Sequence, residues 1–238
     1  MSDQPATPLL AGRHAARDRR TVGWAAAGLT AAGLLAGLTV APPDAIQGQA
    51  QRLMYLHVPA AWTAYLAFFA VLIASGGVLI WADPRWDRAA RAAAELGLAA
   101  TAVAFLAGSL WGRLAWGVWW AWDPRIVSTV AMFLVYAAQL TVRRAYGERR
   151  AAWLGVAGFV IVPVAHFSVV WFRSLHQPAT ILAPRTAPPI DGLMLTALVI
   201  CVLAATVTAG WLFLCRLAVL ERRAGVPEVT SRRARVRP

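Results

Sequence analysis

The sequence contains no lysine, so all 23 of its basic side chains are arginine. Charged residues of both signs make up only 14% of the 238 positions, hydrophobic residues make up 59%, and the mean hydropathy is +0.57. Because soluble globular domains carry about 25% charged residues, this composition argues against an ordinary soluble domain. It is typical of a polytopic membrane protein.

Cysteine is equally scarce. Only Cys201 and Cys215 are present, and the sequence has no CxxC or CxxCH motif, no HExxH motif and no glycine-rich phosphate-binding loop. These absences argue against a thiol oxidoreductase, a c-type cytochrome, a zinc metalloprotease and an ATPase. Both cysteines fall in one apolar run, where we expect inert packing residues. Any energy that the function requires must come from a partner.

Long apolar runs are abundant. A spanning helix needs about 20 predominantly apolar residues, and six stretches qualify. They cover residues 23–41, 58–81, 92–111, 126–142, 152–172 and 192–220. The sequence therefore predicts an all-α integral membrane protein with six transmembrane helices. The predicted domains are an N-terminal tail over 1–22, a six-helix domain over 23–220 and an arginine-rich tail over 221–238.

The arginines are distributed asymmetrically between the two sides of the predicted spans. The N-terminal tail, the second and fourth loops and the C-terminal end carry 18 of the 23 arginines, and the other three loops carry 5. Positive charge marks the cytoplasmic side, so we expect both termini in the cytoplasm and the loops around 42–57, 112–125 and 173–191 outside. Clusters of this kind report topology, which makes nucleic-acid binding the weaker interpretation.

Two polar features fall inside the predicted spans. Glu95 is expected to form a local ion pair with Arg91, which lies four residues earlier on the same helix face. Pro163 removes a backbone donor in the middle of the fifth span and is expected to kink it. His166 follows it as a candidate buried hydrogen-bonding residue.

Residues 111–125, WGRLAWGVWWAWDPR, contain five of the twelve tryptophans. These are Trp111, Trp116, Trp119, Trp120 and Trp122. The uncharged stretch between Arg113 and Asp123 extends only about 14 Å as a helix, too short to cross a membrane. We therefore expect it along the external interface, with Trp116, Trp119 and Trp120 on one helical face. An aromatic belt is the simpler interpretation. Belts, however, distribute aromatic residues around both rims of a membrane protein, whereas these tryptophans are concentrated in one loop. Such a cluster suits a flat apolar ligand.

Two histidines lie beside this segment. His57 precedes the second predicted span and His176 follows the fifth, so both are expected in external loops. Neutral imidazole is a common metal ligand, and two imidazoles from separate loops can hold one metal from opposite sides. Each alone is more simply an interfacial polar residue. As a pair beside the aromatic shelf they indicate a metal centre.

A planar, apolar ligand that binds iron between two imidazoles and carries two carboxylates is haem. The external arginines Arg52, Arg125 and Arg185 are candidate partners for its propionates, because a guanidinium can form two parallel hydrogen bonds with a carboxylate. Lipid headgroups are the alternative partners, above all for Arg185. Asp123 is expected to orient Arg125 or to cap the next span. Acid catalysis is the weaker interpretation, because a hydrolase needs a second carboxylate and this loop has only one.

At these residues the chain resembles a known family. The segment from Trp111 to Arg125 is similar to the tryptophan-rich WWD signature of haem-handling membrane proteins, and LHVPAAW and SLHQPATI flank it in sequence. The whole pattern resembles the haem exporter protein C (CcmC) family of the cytochrome c maturation system. Phe172 and Arg173 depart from the family pattern just before SLHQ.

The resemblance implies more than the residues alone do. It implies that His57 and His176 are axial ligands of haem b and that the WWD segment is the platform. It implies a bacterial cytoplasmic (inner) membrane location with periplasmic functional loops. The implied partners are a membrane-anchored haem chaperone, the ATPase and membrane subunits of an ABC transporter, and a small single-span accessory subunit.

Two other functions stay open at this stage. A secondary transporter of an amphiphile needs polar groups or interrupted helices near mid-membrane, and only His166 and Pro163 answer that description. A structural subunit of a transporter needs the tryptophans only as anchors. The sequence also leaves open whether the protein only presents haem or catalyses its covalent capture, so no catalytic residue is predicted.

Overall fold

The computed structural model describes the backbone of residues 8–176 and 190–225, with side chains from residue 20 onwards. These ranges contain seven α-helices and no strand. The helices are α1 (Pro8–Leu35), α2 (Met54–Trp81), α3 (Pro84–Trp116), α4 (Pro124–Tyr146), α5 (Glu148–Gly158), α6 (Ile161–Trp171) and α7 (Gly192–Gly225). Six segments are long and apolar enough to cross a membrane, with α5 and α6 together forming the fifth. The predicted all-α protein with six spans is confirmed.

The helices extend beyond the predicted apolar cores. Helix α1 includes part of the predicted N-terminal tail, and α2 begins four residues before the predicted second span. Helices α3 and α4 both begin at the proline of an Asp-Pro-Arg sequence. Asp83 and Asp123 each accept a hydrogen bond of 2.8 Å from the backbone N–H two residues later, and the proline occupies the first helical position. An aspartate at this position satisfies free N–H groups of the first turn.

The first span ends in a π-helical turn over Ala36–Val40. Gly37 in this turn lies against the ring of Tyr55, and a Cβ at this position would be 2.5 Å from the ring. A following short 3₁₀ helix, Gln49–Leu53, leads into α2. The connection between the first two spans is therefore packed closely against the start of α2.

The fifth span is interrupted between α5 and α6. Because Pro163 has no N–H, the carbonyl of Phe159 loses its i+4 donor, and it accepts instead from Val162 at 3.0 Å. Phe159 and Val160 themselves donate three residues back, to Val156 and Ala157. The helix is therefore interrupted one turn before the proline, next to the position where Pro163 is expected to kink it.

The core lies between α2, α3, α4 and the α5–α6 span. Phe68 on α2 and Tyr136 on α4 are fully buried and stack with ring centroids 3.7 Å apart. Gly97 on α3 allows this contact, since a Cβ there would be 2.4 Å from the Phe68 ring. Helices α1 and α7 pack against each other, with Gly33 facing Cys201. Small residues allow this close approach of helices in lipid.

Two groups of ion pairs join the spans near one end of the bundle. Glu95 pairs with Arg91 at 3.0 Å, as predicted, and also with Arg216 on α7, which the sequence did not indicate. Asp87 on α3 is buried and accepts two hydrogen bonds from the guanidinium of Arg143 on α4. These pairs connect α3 to α7 and to α4.

Candidate functional site

His57 is the fourth residue of α2 and not a loop residue, because the helix begins at Met54. This corrects the prediction that the histidine lies in a loop before the span. Its Nδ1 lies 2.8 Å from the carbonyl oxygen of Ala104 on α3. Since a carbonyl only accepts, Nδ1 carries the proton and Nε2 keeps its lone pair. A helix–helix contact therefore fixes both the position and the tautomer of this imidazole.

Glycine and tryptophan residues on α3 shape the surroundings of His57. A Cβ at Gly108 would lie 2.7 Å from Cε1 of the imidazole, so only glycine leaves room for the ring. The Trp111 ring meets the imidazole edge to face at 5.9 Å. Its indole N–H donates to the side-chain oxygen of Gln47 at 2.6 Å, which ties the loop between the first two spans to α3.

His176 follows α6 and contacts the end of α3 and the start of α4. Its ring packs edge to face on Trp116, with centroids 5.0 Å apart. Its Nδ1 lies 3.3 Å from Oδ1 of Asp123, an ion-pair distance without hydrogen-bond alignment. Asp123 also accepts from the backbone N–H of Leu175 at 2.6 Å and from the Ser174 hydroxyl at 2.9 Å. The carboxylate that caps α4 therefore also holds the segment that carries His176.

The charge states of these two groups follow from their surroundings. Burial lowers the pKa of His176 to about 4, the positive charge of Arg125 acts in the same direction, and Asp123 opposes it. Burial alone raises the pKa of Asp123, but the hydrogen bonds from Leu175, Ser174 and Arg125 outweigh it, so the pKa is lowered. At neutral pH the imidazole is uncharged, as a metal ligand must be, and the carboxylate is ionised.

His57, His176 and Arg125 line one cavity of about 60 Å³. The Arg125 guanidinium donates to the Tyr65 hydroxyl at 3.1 Å, and its Nε is buried without a hydrogen-bond partner among the described residues. The Tyr65 ring in turn meets the edge of His166 at 5.7 Å. Two imidazoles and one incompletely paired cation therefore meet at a single cavity.

The tryptophan segment is not one helical face, and that prediction is wrong. Helix α3 ends at Trp116, Gly117 has a φ of 79°, and residues 117–123 are not helical. The tryptophans instead fall into two groups. Trp111 and Trp116 pack against the two histidines, whereas Trp119, Trp120 and Trp122 have exposed fractions of 59%, 38% and 84%. Only the second group offers an open aromatic surface, and Trp119 also lines the cavity.

The structure separates the three predicted propionate arginines. Arg125 lines the cavity. Arg52 does not line it, because its guanidinium donates to the carbonyl of Gly37 and to the side chain of Gln49. Its observed contacts stabilise the end of the first span. Arg185 lies outside the described residues.

Sequence reasoning missed Tyr65, Ser174 and Gly108. Helical spacing could have found Tyr65, which lies two turns after His57 on the same face of α2. No sequence signal pairs Ser174 with Asp123, 51 residues earlier, or Gly108 with His57. Within the described ranges, no three His, Cys, Asp or Glu side chains gather in a metal-binding group. A haem iron held by two imidazoles needs no such cluster.

Comparison with known proteins gives a consistent family. The model of the family described as heme exporter protein C matches residues 3–230. Heme exporter protein C of Bradyrhizobium diazoefficiens is 40% identical over 178 residues, 71% of this chain and 67% of the relative. The Escherichia coli K12 protein of the same name is 31% identical over 221 residues, 90% of this chain and 86% of the relative. The Haemophilus influenzae protein of that name is 33% identical over 193 residues, 79% and 78% of the two chains. The chain therefore belongs to the heme exporter protein C family.

Proposed function

We propose that this protein binds haem at the end of its bundle that carries the tryptophan segment and presents it to a partner during cytochrome c maturation. The iron is held between Nε2 of His57 and Nε2 of His176. The haem is cargo, and the protein acts as a binding and transfer protein whose energy comes from partner subunits. The names of the relatives support haem handling.

The observation that carries the proposal is the way in which the two imidazoles are held. They come from positions more than a hundred residues apart, yet both line one cavity. Each Nδ1 faces a protein oxygen, the carbonyl of Ala104 or the carboxylate of Asp123. The hydrogen bond to Ala104 fixes the ring orientation of His57 and raises the basicity of its other nitrogen, as such partners do for histidines that bind metals, and Asp123 lies at the corresponding position beside His176. Each Nε2 is therefore available for iron.

The cavity of about 60 Å³ has room for the iron-facing atoms but not for a whole porphyrin. The macrocycle must therefore lie across its mouth, or the histidines must move apart to admit it. The exposed rings of Trp119, Trp120 and Trp122 provide an open aromatic surface beside this mouth, in which Trp120 and Trp122 meet edge to face at 5.3 Å. The unpaired Nε of Arg125 suits a haem carboxylate. An open platform leaves one porphyrin edge accessible to the partner that receives the haem.

The proposed partners are a membrane-anchored haem chaperone, the ATPase and membrane subunits of an ABC transporter, and a small single-span subunit. The proposed location is the bacterial inner membrane, with both termini cytoplasmic and the tryptophan segment periplasmic. The arginine asymmetry supports this orientation, since 18 of 23 arginines fall on the side of the termini. The division into two tails and a six-helix domain over 23–220 is part of the same proposal.

Visible spectroscopy of the purified protein tests the proposed ligands. We expect a low-spin, six-coordinate haem spectrum in the wild type and its loss in His57→Ala and His176→Ala. His166→Ala is the matched control, because His166 contacts Tyr65 but does not line the cavity. A wild-type spectrum in both ligand variants, or its loss in the control alone, contradicts the assignment.

Thiol labelling in intact cells tests the orientation. Ile46 and Tyr146 lie at opposite ends of the bundle and have exposed fractions of 89% and 63%. In a background without Cys201 and Cys215, Ile46→Cys should react with a membrane-impermeant maleimide, and Tyr146→Cys should react only after the cells are permeabilised. The reverse pattern excludes a periplasmic tryptophan segment.

A further inference from the structure

A second cavity lies between α1, α2, α3 and α7, apart from the histidine cavity. Its volume is about 310 Å³, and most of its lining is alanine, leucine and other apolar side chains. Leu56, Val103 and Leu212 line it and have exposed fractions of 46%, 42% and 42%. It therefore opens sideways, on the flank of the bundle that faces the bilayer. An apolar groove of this size holds no stable water, because it offers few hydrogen-bond partners.

The dimensions of the groove match a lipid chain. On α7 its lining runs from Cys201 to Leu212, which corresponds to about 16 Å along the helix axis. One leaflet of the hydrocarbon core is about 15 Å thick. The groove is therefore as long as one extended acyl chain in its leaflet.

A buried polar group marks one end of the groove. Tyr55 is the second residue of α2, lines the groove and is only 3% exposed. Its hydroxyl has no hydrogen-bond partner in the part of the chain that the structure describes. Two other hydroxyls of the groove, those of Thr30 on α1 and Thr208 on α7, are hydrogen-bonded to each other at 3.4 Å. An unpaired buried hydroxyl is costly, so an acceptor on the occupant of the groove is expected beside Tyr55.

We propose that this groove binds one acyl chain of a membrane glycerophospholipid and that the Tyr55 hydroxyl donates to the ester carbonyl at the head of that chain. Tyr55 is the seventh residue of the second spanning segment, Gln49–Trp81, at the end of α2 that carries His57, which places it near the membrane surface, the depth at which ester carbonyls occur. The apolar wall receives the chain, and the Tyr55 hydroxyl fixes its end. The bound lipid then stabilises the packing of the α1–α7 pair against α2 and α3.

Native mass spectrometry of the purified full-length protein tests this site. The probes are two phosphatidylcholines with identical chains, one ester-linked and one ether-linked. The ether lipid lacks the carbonyl oxygens. We expect one retained ester lipid per chain, bound about five-fold more tightly than the ether lipid, the usual effect of one hydrogen bond. Tyr55→Phe should abolish the ester preference.

Two further variants separate the groove from general lipid binding. Ala205→Phe fills the groove and should eliminate the retained lipid, whereas Ala138→Phe, an exposed position on α4 outside the groove, should not. Melting temperatures show that each variant is folded. Equal lipid retention by Ala205→Phe and wild type overturns the proposal. So does equal retention of ester and ether lipid by the wild type, or cross-linking of Ala205→Cys to a partner's transmembrane helix with no lipid bound.

Discussion

Asp123 makes contacts that the equivalent aspartate of the preceding helix does not make. Asp83 and Asp123 both cap a helix that continues with proline and arginine. Only Asp123 also accepts hydrogen bonds from Ser174 and Leu175, next to His176. One side chain therefore joins the end of the tryptophan segment to the segment that carries the second histidine.

Asp123→Asn should weaken haem binding by about ten-fold, because partners of metal ligands typically contribute 10- to 100-fold in affinity. The amide keeps an oxygen for the helix cap but loses the charge that holds the His176 segment. Haem titration of the purified variant measures the effect. Asp83→Asn is the control and should bind haem like the wild type. Equal losses in the two variants would mean that capping alone matters.

Tyr65 holds the Arg125 guanidinium at the cavity through a hydrogen bond of 3.1 Å. Tyr65→Phe should therefore reduce the preference for haem over haem dimethyl ester, in which the carboxylates are blocked, by about three-fold, within the range of one hydrogen bond. Competition binding of the two porphyrins measures this preference. Tyr146→Phe, at the opposite end of the bundle, serves as the control. An unchanged preference in Tyr65→Phe contradicts a positioning role for the tyrosine.

Residue types and motif spacing identify much of this site but not its internal contacts. Both histidines, the tryptophan segment, Asp123 and Arg125 are recognisable because their chemistry is unusual beside apolar spans. The hydrogen bonds of Asp123 with Ser174 and of Arg125 with Tyr65 cannot be recognised in the sequence, since each joins residues more than fifty positions apart. Arg52 is the opposite case. Its residue type suggests a carboxylate partner, but its guanidinium donates to the backbone carbonyl of Gly37.

At the level of secondary structure, α3 is the element that positions the first histidine. It supplies the acceptor Ala104, the contact residue Trp111 and the space at Gly108. These three positions recur every three or four residues and therefore lie on one face of the helix. The α2–α3 contact thus decides where the imidazole lies.

Gly108→Ala should reduce haem binding by at least ten-fold while the protein still folds. The added methyl group would lie 2.7 Å from the His57 ring, so the imidazole or the helix must shift. Gly76→Ala on α2 is the control, because a Cβ there meets nothing within 4 Å. It should bind haem normally, with stability equal to or slightly above that of the wild type, since alanine favours helix. The haem spectrum and the melting temperature of each variant provide the comparison.

Across the whole bundle, two groups of ion pairs differ in burial. The Asp87 side chain is 8% exposed and its partner Arg143 21%, whereas Glu95 is 25% exposed and Arg216 31%. Removing one partner of a buried pair costs about 3–5 kcal/mol, but a partly exposed pair contributes about 1 kcal/mol or less. The α3–α4 pair should therefore matter more to stability than the α3–α7 pair.

Asp87→Asn should consequently lower the melting temperature more than Glu95→Gln does. Thermal unfolding of both variants in the same detergent measures the difference. Asp87→Asn removes the carboxylate that forms the ion pair with the partly buried Arg143. The two arginines that lose their ion pair in Glu95→Gln, Arg91 and Arg216, are more exposed to solvent. A larger effect of Glu95→Gln would show that burial does not rank these pairs.

The sequence by itself determined the membrane class, the number of spans and the residue types of the candidate site. These follow from hydropathy and from residue chemistry, which are local properties. Only the tertiary structure decided that His57 is helical, that the tryptophans divide into supporting and exposed groups, and that Arg125 but not Arg52 reaches the cavity. Those outcomes depend on contacts between distant segments, which local patterns do not encode. The physical reason is that many side chains are chemically suitable for the site, but only those on helices that face each other come together, and the packing of the bundle sets which helices do so.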